Sequence, residues 1–296
     1  MSIFKGSGVA LITPFKNEDG NIVVDYEKLE KLIEFHIANN TDSIIICGTT
    51  GESSCLSEEE HENTIKRCIE IVDGRIPVIA GTGSNNTKRA VELSKKVSNM
   101  GADGLLCVTP YYNKTNQDGL KLYYKRIASS VNIPVIMYNV PSRTGVNINP
   151  ETAISIAKEN DNIIAIKEAS GKLEQVKQIT QSNVLDVYSG NDDQIIDILD
   201  FGGVGVISVL ANIYPKYTHN MVMEYLNGNK VEANRMQHKV LNLCKGLFCD
   251  VNPIPVKKAM QYLDMDSGIL REPLITLDDE KSKVLIKTIE QFEQIK

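Results

Sequence analysis

In the stretch Ile163-Ile164-Ala165-Ile166-Lys167-Glu168-Ala169-Ser170, four apolar residues directly precede a lysine. A continuous apolar run of this length is typical of a strand that is buried on both faces of a parallel sheet. Lys167 then lies at the carboxyl end of the strand, where barrels of alternating strands and helices hold their chemistry. A partly desolvated lysine there can lose its proton near neutral pH and form a Schiff base with a carbonyl compound. The alternative is that Lys167 leaves the core and pairs with Glu168 or with solvent.

Seven further apolar segments share this arrangement, and a longer segment of helical periodicity follows each of the eight. The predicted strands span residues 8–12, 43–47, 77–80, 104–108, 134–138, 163–167, 185–189 and 204–208. The predicted helices span about 25–40, 57–73, 86–100, 117–130, 150–160, 172–182, 192–200 and 212–226. Eight such units predict an α/β fold, a closed (β/α)8 TIM barrel over residues 1–228. An open doubly wound sheet is the alternative, but no G-x-G-x-x-G motif lies at a strand-to-helix turn.

The pattern changes after residue 228. Helical periodicity continues over about 230–247, 255–264 and 279–294, without a further predicted strand. We therefore expect a C-terminal helical region over residues 229–296, appended to the flank of the barrel. Asn252-Pro253-Ile254-Pro255 is expected to form a rigid turn into the second of these helices, because the prolines restrict the backbone.

Composition and charge exclude several classes of protein. The 296 residues are 42% hydrophobic and 24% charged, and the net charge of −6 argues against a nucleic-acid or acidic-membrane partner. No apolar run approaches the roughly 20 residues of a membrane span, and the first 15 residues lack a signal-peptide core. The six cysteines form no C-x-x-C pair, which is typical of reduced thiols in the cytoplasm. The four histidines form no metal-ligand cluster, so no metal is expected.

Polar residues follow five of the predicted strands. They are Gly48-Thr49-Thr50-Gly51-Glu52 after the second, Thr109-Pro110-Tyr111-Tyr112-Asn113 after the fourth, Tyr138-Asn139-Val140-Pro141-Ser142-Arg143-Thr144-Gly145 at the fifth, Lys167 at the sixth and Ser189-Gly190-Asn191-Asp192 at the seventh. In a barrel these segments converge on one mouth.

The converging groups are chemically complementary. A lysine nucleophile needs a carbonyl substrate and a proton relay, which hydroxyls such as those of Thr49 and Tyr138 can supply. Backbone N–H and hydroxyl groups of residues 48–51 can bind a carboxylate, and Arg143 can bind a second one as a fork. Each piece also has a structural interpretation: helix capping for the threonines, packing for the tyrosines, a surface cation for Arg143. Their convergence predicts a carbonyl-condensing or lyase-type enzyme.

Three of these motifs resemble the dihydrodipicolinate synthase family of pyruvate-dependent class I aldolases. They are Gly48-Thr49-Thr50-Gly51-Glu52, Tyr138-Asn139-Val140-Pro141-Ser142-Arg143-Thr144-Gly145 and Ile166-Lys167-Glu168-Ala169-Ser170. The resemblance extends from Gly8 to the C-terminal helices. It implies that pyruvate forms a Schiff base with a lysine and that the enamine attacks L-aspartate 4-semialdehyde. Cyclisation then gives 4-hydroxy-tetrahydrodipicolinate, for lysine and diaminopimelate biosynthesis, without an organic cofactor.

The resemblance also implies catalytic roles for individual residues. Lys167 would form the Schiff base, and Thr49, Tyr112 and Tyr138 would form a proton relay. Tyr112 would be supplied across a tight-dimer interface by the neighbouring subunit, and Tyr111 would lie at the same interface. The resemblance further implies a homotetramer built as a dimer of dimers.

Four further residues are implied to bind substrate. Thr50 would hold the carboxylate of pyruvate, and Arg143 would hold the carboxylate of the semialdehyde. Gly190 and Ile207 would line the pyruvate pocket through their backbone groups.

One departure from the family bears on regulation. Lysine-sensitive relatives bind the inhibitor at a dimer-interface cleft, and they have a histidine in place of Glu58 and a glutamate in place of Arg89. An arginine at that position repels the lysine ammonium, so we expect weak or absent feedback inhibition. The corresponding positions in this chain are Ser53, Ser54, Glu58, His61, Asn85, Arg89 and Tyr111.

Two alternative functions follow from the same sequence. The first is another pyruvate Schiff-base lyase on the same barrel, such as an N-acetylneuraminate lyase or a 2-keto-3-deoxy sugar acid aldolase. Such enzymes resemble this chain less around Arg143, because they need no cation for a short amino-acid carboxylate. The second is a non-catalytic binding barrel, which would lack the lysine or a relay residue.

Overall fold

The computed structural model describes residues 2–296 and is built around a closed barrel of eight parallel strands. The strands, in chain order, are β1 (Gly6–Ala10), β2 (Phe15–Glu18), β3 (Asn21–Val24), β4 (Ser43–Ile46), β5 (Val78–Gly81), β6 (Gly104–Val108), β7 (Val135–Asn139), β8 (Ile163–Glu168), β9 (Asp186–Ser189) and β10 (Gly205–Ser208). Around the barrel the order is β1-β10-β9-β8-β7-β6-β5-β4. The predicted (β/α)8 barrel is therefore confirmed.

Helices follow the barrel strands and continue beyond them. In residues 2–296 they are α1 (Tyr26–Ala38), α2 (Glu58–Val72), α3 (Thr87–Met100), α4 (Gln117–Ala128), α5 (Pro141–Thr144), α6 (Pro150–Glu159), α7 (Leu173–Gln181), α8 (Ile195–Asp200), α9 (Pro215–Leu226), α10 (Lys230–Leu247), α11 (Ile254–Tyr262) and α12 (Asp279–Glu293). Ser57 forms a reciprocal capping box with Glu60 at the start of α2, as S-x-x-E sequences do. None of these helices combines the length and apolar character needed to cross a bilayer.

Three local features differ from the sequence prediction. Strands β2 and β3 form an antiparallel hairpin that was not predicted, although its Asp19-Gly20 turn, with both φ angles positive, is a strong hairpin signal. Helix α5 is a single turn and too short to show periodicity. The predicted helix over 192–200 is a 3₁₀ turn (Asp192–Gln194) followed by α8.

The apolar core has two layers, as expected for this fold. The inner layer fills the barrel with side chains such as Ile45, Ile79, Ile136 and Ile207. The outer layer packs the opposite faces of the strands against the surrounding helices. Because the barrel interior is filled, polar side chains that point inward near the strand ends are held in a dry environment.

The C-terminal region reaches the mouth of the barrel in addition to packing on α9. The side-chain amide of Asn252 donates to the Thr50 hydroxyl at 2.9 Å. The Lys257 ammonium forms a fully buried ion pair with Glu52 at 2.6 Å. The prediction that this region packs on the flank of the barrel therefore describes only part of its contacts. The contacts at the mouth join residues about 200 positions apart, so no local sequence pattern reveals them. The division at residue 228 stays a prediction.

His36 of α1 gives the fold a pH-dependent stability. Its ring is fully buried, Nδ1 lies 3.0 Å from the Thr41 hydroxyl, and burial lowers the pKa of His36 from 6.5 to about 3. Between these pH values the unfolded chain binds a proton that the folded chain does not. The free energy of unfolding should therefore fall as pH decreases from 6.5 towards 3, by at most about 1.4 kcal/mol per pH unit from this group.

The variant His36→Asn is expected to have a flatter dependence of unfolding free energy on pH over that range. Urea unfolding at several pH values measures the slope, and His238→Asn, at an exposed histidine, is the matched control. A His36→Asn slope equal to that of the wild type would contradict the assignment.

Candidate active site

Lys167 points into the barrel near the carboxyl end of β8. Alternation along the strand puts Ala165 in the inner layer and Ile166 in the outer layer, so Lys167 faces inward again. Its side chain is buried, and Nζ lies 4.6 Å from the centre of the Tyr138 ring. Burial, opposed by the carboxylate of Asp192 and assisted by Arg143, lowers the pKa of Lys167 to about 8. A usable fraction of the amine is therefore neutral and nucleophilic near physiological pH.

The alternative in which Lys167 pairs with Glu168 or with solvent is wrong. Lys167 is 5% exposed, and Glu168 lies on the outer face of β8, where neutral donors bind its carboxylate.

Tyr138 faces Lys167 from the neighbouring strand. The two residues are directly paired in the register of β7 and β8. Burial raises the pKa of Tyr138, while Arg143 and the neighbouring Thr49 side chain act in the opposite direction. The phenol therefore keeps its proton near neutral pH and can both donate and accept hydrogen bonds. The structure thus brings together three of the predicted site residues: Lys167, Tyr138 and Thr49.

Thr50 and Arg143 are joined by a residue of the C-terminal region. Thr50 is buried, and its hydroxyl accepts a hydrogen bond from the side chain of Asn252. The Arg143 guanidinium, which α5 holds at the mouth, donates to the backbone carbonyl of Asn252 at 2.9 Å. The two predicted carboxylate-binding residues are therefore fixed relative to each other through one asparagine.

Gly190 and Ile207 border the same part of the barrel. Ile207 is fully buried in the inner layer. The Gly190 N–H donates to the carbonyl of Glu168 at 2.8 Å, so its carbonyl is the backbone group left for a ligand. Any Cβ at Gly190 would lie 2.6 Å from the Cβ of Ala169, which explains why the position needs glycine.

Tyr112 is the predicted site residue that this single chain does not bring to the others. Its side chain is 91% exposed, and its φ of +69° is unfavourable for a bulky residue. Tyr111 is half-buried and lines a cavity of about 320 Å³ together with Thr49 and Arg143. A tyrosine held in this conformation and directed away from its own chain is available to a second molecule.

Two residues at the mouth were missed as functional candidates. Asp192 appeared only as part of a polar segment, yet its buried carboxylate accepts hydrogen bonds from Ser208 and from two backbone N–H groups. Asn252 was interpreted only as part of a turn. Asn252 directly precedes two closely spaced prolines, which indicates a fixed backbone. Nothing in the local sequence indicates its contact with Thr50. In residues 2–296 no group of three metal-binding side chains comes together.

Comparison with known proteins relates nearly the whole chain to one family. Residues 3–292 match the model of the dihydrodipicolinate synthetase family. The 4-hydroxy-tetrahydrodipicolinate synthase of Clostridium tetani is 53% identical over 298 residues, covering 100% of both chains. The crystal structure of dihydrodipicolinate synthase from Aquifex aeolicus has a TM-score of 0.94 at 42% identity, covering 98% of both chains. That of Cyanidioschyzon merolae, with lysine bound, has a TM-score of 0.94 at 36% identity, covering 100% of both.

A family match of this length, on a barrel that holds a buried lysine beside a tyrosine, leads to one conclusion: the chain belongs to the dihydrodipicolinate synthetase family.

Proposed function

We propose that this protein condenses pyruvate with L-aspartate 4-semialdehyde to give 4-hydroxy-tetrahydrodipicolinate, a step of lysine and diaminopimelate biosynthesis. The observation that carries the proposal is the buried amine of Lys167, with its pKa lowered to about 8, at the carboxyl end of a barrel strand. The full-length relationship to proteins named for this activity supports it. The free cysteines are compatible with the cytoplasm, which we propose as the location.

The reaction is a sequence of bond changes at one lysine. The neutral Nζ of Lys167 attacks the keto carbon of pyruvate, and the resulting carbinolamine loses water to form an iminium ion. Loss of a proton from the methyl carbon gives the enamine, because the iminium accepts the electron pair. The enamine carbon then bonds to the aldehyde carbon of the semialdehyde, whose oxygen becomes a hydroxyl. The amino group of the semialdehyde displaces Lys167 and closes the ring, with one water released overall.

Proton transfer accompanies each of these steps. We assign it to Tyr138, Thr49 and Tyr112 of the partner subunit, with Tyr111 at the interface. The raised pKa of Tyr138 suits a group that must return its proton to the reacting atoms. Because Tyr112 is exposed in the single chain, the relay requires association, and we propose a homotetramer built as a dimer of dimers.

Substrate binding is assigned to four residues. Thr50 holds the carboxylate of pyruvate, and Arg143 holds that of the semialdehyde as a charge-assisted fork. Gly190 and Ile207 border the pyruvate with backbone groups. The contact of Asn252 with both Thr50 and Arg143 sets the spacing of the two carboxylate sites.

Borohydride trapping tests the proposal. The protein is incubated with pyruvate and sodium borohydride, and its peptides are analysed by mass spectrometry. A reduced pyruvate adduct on Lys167 is expected, together with condensation product when the semialdehyde is added. Absence of an adduct on folded protein would overturn the lysine mechanism. An adduct with turnover of N-acetylmannosamine or a sugar-derived aldehyde, and none of the semialdehyde, would favour the sugar-acid lyases instead.

We also propose that L-lysine inhibits this enzyme weakly or not at all. The Arg89 guanidinium lies 3.5 Å from the Glu58 carboxylate, and in the proposed lysine site this cation would face the ammonium of the inhibitor. Both residues border a small cavity with His61, whose ring contacts the Gly81 carbonyl at 2.9 Å. Initial rates measured against lysine concentration should therefore show little loss in the sub-millimolar range.

The double variant Glu58→His and Arg89→Glu restores the residues of the lysine-sensitive relatives. It is expected to gain inhibition, because a carboxylate replaces the cation. Strong inhibition of the wild type at sub-millimolar lysine would contradict this prediction.

A further inference from the structure

Glu168 is a buried carboxylate that neutral donors alone satisfy. It ends β8 and is 1% exposed. The side-chain amide of Asn139 donates to both of its oxygens, at 3.2 and 3.0 Å. The Ser170 N–H donates to one oxygen at 2.7 Å, and the Gln175 amide donates to the other at 2.9 Å. A buried charge is costly unless such donors surround it, so its presence here calls for a reason.

The position of Glu168 in the barrel supplies that reason. Tyr138 pairs with Lys167 across β7 and β8, and the next pair in the same register is Asn139 with Glu168. The side chain of Glu168 therefore holds the end of β7, while its carbonyl accepts the N–H of Gly190 just after β9. One residue thus connects the three strand ends that carry Tyr138, Lys167 and Gly190.

The surrounding amides have fixed orientations, so only an acceptor fits between them. The Asn139 carbonyl oxygen accepts the Ile148 N–H at 2.9 Å, which turns its NH₂ towards Glu168. The Gln175 carbonyl oxygen accepts from Asn147 at 3.0 Å, which turns its NH₂ the same way. A glutamine at position 168 would place its own NH₂ against one of these donors. The carboxylate is required by the donor pattern, and size alone does not account for it.

We propose that Glu168 is a positioning residue of the reaction: its buried carboxylate clamps β7 to β8 and thereby holds the Lys167 amine at the Tyr138 ring. The inference rests on the proposed Schiff-base function. Glu168 acts through geometry, because burial is the main cause of the lowered pKa of Lys167 and the charges that modify it are those of Asp192 and Arg143. Small displacements of a reacting group are sufficient to slow an oriented reaction by one to two orders of magnitude.

The test compares Glu168→Gln with the wild type in borohydride trapping at increasing pyruvate concentration. We expect the maximal trapping rate at Lys167 to fall by about tenfold or more. The pyruvate concentration that gives half of that rate should change little, and so should the pH at which the rate rises. Loss of structure alone would instead reduce the fraction of active protein, which unfolding measurements and active-site titration report.

Two further variants make the outcome decisive. Glu174→Gln removes an exposed acid at the start of α7 and should trap pyruvate at the wild-type rate. Adding Asn139→Asp to Glu168→Gln exchanges donor and acceptor across the two strands and should recover part of the rate. Wild-type trapping in folded Glu168→Gln would overturn the positioning role and leave the proposed function intact. No trapping in the wild type would overturn the proposed function itself.

Discussion

Lys167→Met is expected to abolish the reaction while the protein remains folded. Methionine fills a similar volume without a nucleophile, so the Schiff base cannot form, and kcat should fall by about a thousandfold or more. The change removes the desolvation cost of a buried cation, and Asp192 keeps its three hydrogen bonds, so the folded state should lose little stability. Steady-state kinetics and borohydride trapping measure the effect, and Lys158→Met, at an exposed lysine of α6, is the control.

The pH dependence of the wild type belongs to the same prediction. The attacking amine must be neutral, and the pKa of Lys167 is about 8. Below this pH the free enzyme is mostly protonated at Lys167, so kcat/KM for pyruvate should fall about tenfold per pH unit. Above it the value should level off. Near-normal turnover by Lys167→Met would refute the assignment of the nucleophile.

Lys257→Met is expected to have the largest effect on stability. The Lys257 ammonium lies 2.6 Å from the Glu52 carboxylate, and both side chains are fully buried. Nζ also donates to the Ile269 carbonyl at 2.7 Å and lies 4.1 Å from the Phe15 ring centre. Removing the cation leaves a buried carboxylate without its partner, which should lower the free energy of unfolding by about 3–5 kcal/mol.

The double variant Glu52→Gln with Lys257→Met separates pairing from packing. It removes both charges and should recover much of the stability, because no uncompensated charge remains. Urea unfolding gives the free energy of unfolding of the wild type, the single variant and the double variant. Lys287→Met, at an exposed lysine of α12, is the control. If the single variant were as stable as the wild type, the ion pair would contribute nothing to holding the loop that carries Thr49 and Thr50.

The barrel could be predicted because each of its units is local. Eight apolar segments, each followed by a helical segment, are sufficient for the architecture, and alternation along β8 is sufficient to turn Lys167 inward. The contact of Asn252 with Thr50 could not be predicted, since 202 positions separate them. The resemblance to a family supplied the expected role of Tyr112, but its exposure and its positive φ angle depend on the folded chain around it and follow from no sequence motif.

Glu168 shows another limit of sequence reasoning. A glutamate beside a lysine suggests a local ion pair, whereas strand alternation sends the two side chains to opposite faces. Its side-chain donors come from β7 and α7. Their orientations depend on further contacts with Ile148 and Asn147.

The contacts of the C-terminal region with the mouth also order events during synthesis. Residues up to the end of β10 are synthesised before Asn252 and Lys257. A nascent or truncated chain that stops before residue 252 therefore contains Lys167 and Tyr138, but Thr50 and Arg143 have no Asn252 to bind. The mouth is completed only by the last part of the polypeptide to emerge, so incomplete translation products carry the nucleophile without the assembled substrate site.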